Sequence, residues 1–297
     1  MRRIWIVLMV LVGGVLFKGC SSIEEYDVVK YKAPNWTSDG TIVFVKDHNH
    51  VKDKKSITGE EGNIKGSSEK LILCEINNDG TGFKEIATML ESNNYAYSLG
   101  ITNTSSAGEW VVMGMKAEND SKEHIYIIKR DGIGLSKICE GNYPDFSPDA
   151  EKIVYQKPDQ GLWIMNRDGS GEHQITSDGN AVKPVWAPGG NRIAYTISQS
   201  ETLCISDTSG TIISIYTPLE GGWYEEPDWA PKDTNAVITA VNGRGWSEII
   251  YLSTGQIQKN TLVWYTKWSS IGDKFITYDG HWYVINRDGT NKWYLKP

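Results

Sequence analysis

The sequence predicts an all-β fold, a six-bladed β-propeller of four-stranded antiparallel blades, and three observations carry that prediction. A strand-turn-strand phrase with an aromatic anchor recurs along the chain. A second phrase ending in a tight glycine turn recurs six times. The period, about 40 to 45 residues, is that of four short strands per unit.

The first phrase reads PNWTSDGTIVFV, PDFSPDAEKIVY, PVWAPGGNRIAY, PDWAPKDTNAVI and TKWSSIGDKFIT, with anchors Trp36, Phe146, Trp186, Trp229 and Trp268. The last four anchors lie 40, 43 and 39 residues apart. Trp36 and Phe146 are 110 apart, which leaves room for two units, the hidden one beginning near Tyr97. Each anchor is followed by a Pro, Gly or Asp turn and an apolar run such as Ile153 to Tyr155, the pattern of two strands joined by a tight turn.

The second phrase reads LILCEINNDGTG, IYIIKRDGIG, LWIMNRDGSG, LCISDTSGT, IIYLSTGQ and WYVINRDGTN, with turn glycines Gly80, Gly132, Gly169, Gly210, Gly255 and Gly289. Asp-Gly or its analogue supplies the positive φ that such a hairpin needs. Six units of four strands follow. One sheet with two apolar faces buries neither alone, whereas six around an axis bury both against neighbours. A β-sandwich or β-solenoid would not give this period. The blades are expected at about 34–90, 91–141, 142–181, 182–222, 223–262 and 263–297. Residues 20–33 form a linker or a closing strand, and either Tyr26–Tyr31 or the terminal NKWYLKP staples the ring.

The couplet of PDFSPDAEKIVY with LWIMNRDGSGEHQIT resembles the WD-like repeats of TolB-type propellers, periplasmic partners of a peptidoglycan-associated lipoprotein. The resemblance runs over residues 34–297 and does not include the α/β domain that precedes the propeller in that family. It implies a propeller and an envelope setting; it does not assign a site, because propellers serve enzymes and binding proteins alike.

Arg2 and Arg3 precede the apolar run Ile4–Phe17, fourteen residues, too short to span a core of ~30 Å at 1.5 Å per residue. Residues 1–19 therefore read as a signal peptide. Leu16, Phe17, Lys18, Gly19 and Cys20, followed by Ser21 and Ser22, resemble a bacterial lipoprotein signal, which implies Cys20 as the lipidated mature N-terminus. A leader cut near Gly19 or an uncleaved anchor are the alternatives. The expected setting is the bacterial cell envelope, with the membrane reached through the lipid alone.

Thirty basic against thirty-seven acidic residues give a net charge of −7, which argues against nucleic acid as a partner. Without residues 1–19 the count is 27 against 37, or −10. The remaining cysteines, Cys74, Cys139 and Cys204, are odd in number and read as buried small hydrophobes. Twelve Trp and fifteen Tyr against five Phe favour rings with a polar handle, suited to half-wet binding faces.

In a propeller the loops joining the fourth strand to the next blade, and the second strand to the third, emerge on one face around the axis. The repeat places Tyr143, Trp223, Tyr224, Glu225, Arg244, Trp246, Trp264 and Tyr265 on those loops, as rings for stacking on a sugar or peptide and polar groups to orient it. Packing between blades is the other use of such rings. Glu225, Glu226, Asp228 and Asp145 are candidates for paired carboxylates at the channel mouth, although Asn35, Val185 and Lys267 occupy equivalent positions elsewhere.

The polar stretch Lys46–Lys70 reads as a mobile surface loop, and its His48 and His50 as solvated side chains without a third metal ligand. No G-x-S-x-G elbow occurs, and the RDGSG-type turns join strands rather than opening a helix, so serine hydrolase and phosphate-loop chemistry are not indicated. The sequence thus predicts an exported, lipid-anchored, monomeric propeller that binds an envelope protein, peptide or glycan through its loop face without catalysis, cofactor or metal. The alternative is a polysaccharide lyase or glycosidase-like propeller using the loop carboxylates.

Overall fold

The computed structural model describes residues 3–12, 15–56, 67–92, 100–117, 120–198, 200, 202–231, 235–242, 245–260 and 265–295. Every helix or strand assigned among them is a β-strand. The first sheet runs β1 (Arg3–Val12), β2 (Val15–Trp36), β3 (Ile42–Ser56), β4 (Ser67–Ile76) and β5 (Lys84–Ser92). The second holds β6 (Gly100–Ala107), β7 (Trp110–Lys116), β8 (His124–Lys129) and β9 (Ser136–Glu140). The third holds β10 (Asn142–Phe146), β11 (Lys152–Lys157), β12 (Gly161–Asn166) and β13 (His173–Gln174). The fourth holds β14 (Ala181–Trp186), β15 (Arg192–Ile197), β16 (Thr202–Asp207) and β17 (Ile212–Tyr216). The fifth holds β18 (Trp223–Trp229), β19 (Ala236–Asn242), β20 (Trp246–Tyr251) and β21 (Gln256–Asn260). The sixth holds β22 (Lys267–Trp268), β23 (Lys274–Tyr278), β24 (Trp282–Asn286) and β25 (Trp293–Tyr294).

Each sheet is an antiparallel meander, and the strands β2, β6, β10, β14, β18 and β22 neighbour one another in cyclic order, with β22 returning to β2. They are the inner strands of a closed six-bladed ring. The apolar core divides accordingly into six clusters, one per seam. Trp36, Phe146, Trp186, Trp229 and Trp268 are all buried in those seams, as the repeat requires. Burying one such side chain is worth roughly 1.5–3 kcal/mol, so each seam is held mainly by its apolar contacts.

The closing seam is built like the others. Trp36, Ile42, Phe44, Ile72, Cys74 and Ile76 of the first blade pack on Ile276, Val284 and Leu295. Neither candidate staple is exchanged between blades: Tyr26–Tyr31 lies within β2, and the terminal segment supplies β25, the outer strand of its own blade. Closure is side-chain packing between contiguous blades.

All six turn glycines adopt positive φ, from 69° at Gly255 to 90° at Gly210. In four of these turns the preceding Asp pins the hairpin, its Oδ1 accepting the backbone N–H two residues on: Asp79 from Thr81, Asp131 from Ile133, Asp168 from Ser170 and Asp288 from Thr290. Cys74 and Cys204 are buried and Cys139 half-buried, all three as free thiols; burial pushes the Cys74 thiol up to about 12.

One region differs from expectation. Much of Lys46–Lys70 is strand rather than loop: β3 and β4 continue their ladder from Asp47↔Leu71 to Val51↔Ser67, and residues 57–66 lie outside the described residues. Cross-strand polar pairs do there what apolar alternation does elsewhere. Lys32 Nζ sits 2.7 Å from the buried Asp47, and His48 and His50 share Asp27 Oδ1 at 3.2 and 2.8 Å, so these histidines are hydrogen-bonded on a strand. Residues 3–12 form β1, which pairs with residues 15–24 of β2 while β3 takes β2 from Ser21 onward. Cys20 lies in that first part of β2, opposite Val7.

Candidate functional site

Five of the six inner strands carry, shortly before the anchor position, an irregularity that the repeat hides. Between Lys32 and Asn35, Asn142 and Asp145, Val182 and Val185, and Glu225 and Asp228, two residues face a single residue on the neighbouring strand. These are β-bulges, and a fifth lies between Ile101 and Thr104. The first bulged residue is left-handed without being glycine: Ala33 at φ 49°, Tyr143 at 50°, Lys183 at 54° and Glu226 at 50°. Tyr265, three residues before its own anchor, repeats the conformation at 53°. The second bulged residue is Pro34, Pro144, Pro184 or Pro227, and Thr266 holds that place in the sixth blade. A bulge leaves a backbone N–H without a ladder partner, and proline has none to leave.

A left-handed non-glycine residue costs about 1–3 kcal/mol. Five blades bear that cost at one repeat position, and the residues carrying it converge. Ala33, Tyr143, Lys183, Glu226 and Tyr265 line one cavity of about 840 Å³ together with Val29, Lys30, Lys32, Lys267, Tyr278, His281, Trp282 and Leu295. The cavity lies at the bulged positions of the inner strands and where the second strand of the sixth blade turns into the third, the face the sequence singles out. Bulges re-aim side chains, and here they aim them at the mouth of the ring.

The wall has a charged side and an aromatic side. Lys183 Nζ lies 2.7 Å from Glu226 Oε1 and 3.8 Å from Glu225 Oε2, and 5.7 Å from the centre of the Tyr143 ring. Burial works against the Lys183 charge, but the two carboxylates overcome it and hold the ammonium protonated above the ordinary lysine range. Burial likewise pushes the Tyr143 and Tyr265 hydroxyls up, so both are neutral hydrogen-bond donors at neutral pH. Opposite, Tyr265 packs on Tyr278 and Trp282 at centroid distances of 6.4 and 6.2 Å, and Tyr278 on Trp282 at 5.3 Å.

Below the mouth, residues at or just before the anchor position join blades. Ser105 Oγ accepts Phe146 N–H at 3.2 Å, Asp145 Oδ2 accepts Trp186 N–H at 2.6 Å, and Asp228 Oδ2 accepts Trp268 N–H at 2.7 Å. Each bond runs from one blade's anchor back to the blade before it. Where Val185 offers no side-chain acceptor, its carbonyl accepts Trp229 Nε1–H at 3.1 Å. Burial pushes Asp228 up to about 6 despite Lys267, and raises Asp145 as well. Of the four carboxylates weighed as a paired acid and base, Asp145 and Asp228 are thus bonded into seams, Glu226 pairs with Lys183 and Glu225 accepts from Trp223.

Of the predicted site residues, the structure brings Tyr143 and Tyr265 into the cavity and sets Glu225 beside its lysine. Trp223 is exposed, with its Nε1–H on Glu225 Oε1 at 3.0 Å. Tyr224 is buried within β18, its hydroxyl donating to Glu248 Oε2 at 2.6 Å, and packs in the seam between the fourth and fifth blades. Trp246 opens β20 and is capped by Lys259 Nζ 3.5 Å from its ring centre. Arg244 and Trp264 lie outside the described residues. Tyr143, Trp223, Tyr224 and Glu225 were assigned to loops but stand on inner strands, which start earlier than alternation suggests because the bulge breaks the two-residue period. Lys183, Tyr278 and Trp282 were missed; for Lys183 the signal was Pro184, two residues before the anchor.

Among the described residues no group of three or more His, Cys, Asp or Glu side chains is arranged to hold a metal ion. No protein-family profile matches the chain, and no curated protein does. Solved structures match it at low identity. TolB from Acinetobacter baumannii is 12% identical with a TM-score of 0.59, over 90% of this chain and 78% of that one. Oligogalacturonate lyase from Vibrio parahaemolyticus is 11% identical with a TM-score of 0.52, over 97% and 99%. A nidogen/laminin complex contains a chain 12% identical with a TM-score of 0.56, over 76% and 90%. At these identities the likeness is one of fold: the chain is a six-bladed β-propeller with TolB-like neighbours.

Proposed function

We propose that this protein is an exported binding protein that holds an envelope polypeptide or glycan in the mouth of its ring and does no chemistry on it. One observation carries the reading: strained, non-glycine bulges recur in the blades and direct their side chains into one cavity. Stability alone would favour glycine there, so the side chains are kept for what they contact. A rigid ring that presents them loses little entropy on binding. The occupied carboxylates support binding over acid-base catalysis, and the likeness to chains seen in protein assemblies supports a polypeptide as the first candidate.

The leader and Cys20 support export and lipid anchoring; replacing Cys20 with Ala then moves the protein from the membrane to the soluble fraction of the envelope. The binding reading is tested by immobilising the protein and offering solubilised envelope proteins and, separately, soluble polyuronates. Capture of a discrete polypeptide or glycan, lost in Tyr265→Ala and Lys183→Ala but kept in Glu220→Ala, is the expected result. Release of unsaturated or reducing sugar ends during the incubation would overturn it in favour of the lyase or glycosidase alternative.

A further inference from the structure

One cation at the mouth stands apart from the others. Lys183 is fixed by Glu226 and Lys32 by Asp47, each at 2.7 Å. Lys267 is paired more loosely: its nearest carboxylate oxygen, Asp228 Oδ1, is 3.8 Å away, and the other Asp228 oxygen is taken by Trp268 N–H. Its side chain is only 17% exposed. Lys267 also lines the 840 Å³ cavity, which is walled by Tyr265, Tyr278, Trp282 and Leu295 and edged by the exposed Val29 and Lys30.

We propose, building on the binding function above, that Lys267 is the seat for the free C-terminal carboxylate of a polypeptide whose last side chain is apolar and rests against Tyr265, Tyr278 and Trp282. A recessed ammonium beside apolar walls calls for a charge carried at the tip of a chain with an apolar group one bond away. A chain terminus has that form. An internal Asp or Glu would have to bring two flanking peptide units into the recess with it. A uronate sugar supplies the charge, but its polar edges gain nothing from Val29, Pro34 and Leu295, which an aliphatic or aromatic side chain would bury. Hydrogen bonds to a charged group gain strength in a site shielded from water, which gives the terminal carboxylate its advantage over an amide.

The test uses the peptide acetyl-Gly-Ser-Gly-Ala-Phe as the free acid and as the C-terminal amide, with a trigalacturonate as a third probe, titrated into the purified protein. The free acid is expected to bind about tenfold or more tighter than the amide. Lys267→Met should abolish that preference and Lys267→Arg should restore most of it, with urea unfolding of both variants confirming that the ring is intact. Equal binding of acid and amide overturns the terminal-carboxylate assignment while leaving the binding function standing. Binding of trigalacturonate alone overturns the assignment in favour of a glycan in the same mouth. Binding of none of the three overturns the assignment, while capture of an envelope partner in the separate experiment decides the broader reading.

Discussion

The two ends of the inner strands obey opposite rules. At the anchor end, Trp36, Phe146, Trp186, Trp229 and Trp268 are buried at one repeat position, and the turns that follow are regular. At the mouth end, three residues earlier, the backbone is bulged and left-handed, and the residues there differ from blade to blade: Ala33, Tyr143, Lys183, Glu226 and Tyr265. A position that keeps its residue class serves packing. One that keeps its backbone but varies its side chain is what the proposed binding function requires, because the ring supplies geometry while each blade supplies a different contact.

The largest effect separates the two ends directly. Trp229→Ala removes a buried ring from the seam between the fourth and fifth blades along with its bond to the Val185 carbonyl, and is expected to cost about 3–5 kcal/mol in chemical denaturation. Tyr265→Ala, at the mouth, should cost far less while removing ligand capture. Equal losses of stability would erase the distinction.

Next comes pH. The unfolded Asp228 carboxyl loses its proton near 3.8, whereas the folded one holds it to about 6. Protonation is therefore favoured by folding, so stability from this group is greatest below pH 4 and falls as pH rises towards 6, by a total of about 2–3 kcal/mol. Asp228→Asn keeps a carbonyl for Trp268 N–H and removes the proton, so its unfolding free energy should lack that decline between pH 4 and 6.5. An unchanged profile would place the titration elsewhere.

Smaller still is the strain itself. Ala33→Gly removes only a methyl group at φ 49° and is expected to stabilise the ring by about 1 kcal/mol, read as a higher urea midpoint. A lower midpoint would show that the bulge is not strained. Glu220→Ala, which breaks an exposed pair to Lys259 at 3.4 Å, should change stability by less than about 1 kcal/mol and leave capture intact.

The ring was legible because its cause is local and repeated: an aromatic anchor, an apolar run and an Asp-Gly turn each report one strand or one hairpin. The mouth was legible only in part. Tyr143 and Tyr265 were found because they are aromatic and out of phase with the strands, but the same reasoning admitted Tyr224, whose hydroxyl has a buried partner, Glu248, far along the chain. Lys183 escaped notice because its importance comes from Glu226 on the next blade, a contact that only the packing of adjacent blades creates. The polar hairpin around His48 and His50 was hidden for a related reason, since its cross-strand pairs depend on Asp27 and Lys32 in β2. Pro34, Pro144, Pro184 and Pro227 were visible throughout, and a proline inside a strand already announces a bulge.

A photo-crosslinking amino acid, placed in living cells in turn at positions 143, 183, 226 and 265 and then at the turn positions 79, 131, 168 and 288, tests the division between the two ends most directly. The account predicts a discrete partner adduct from the first group and none from the second. Adducts from the turn positions, with none from the mouth, would contradict it.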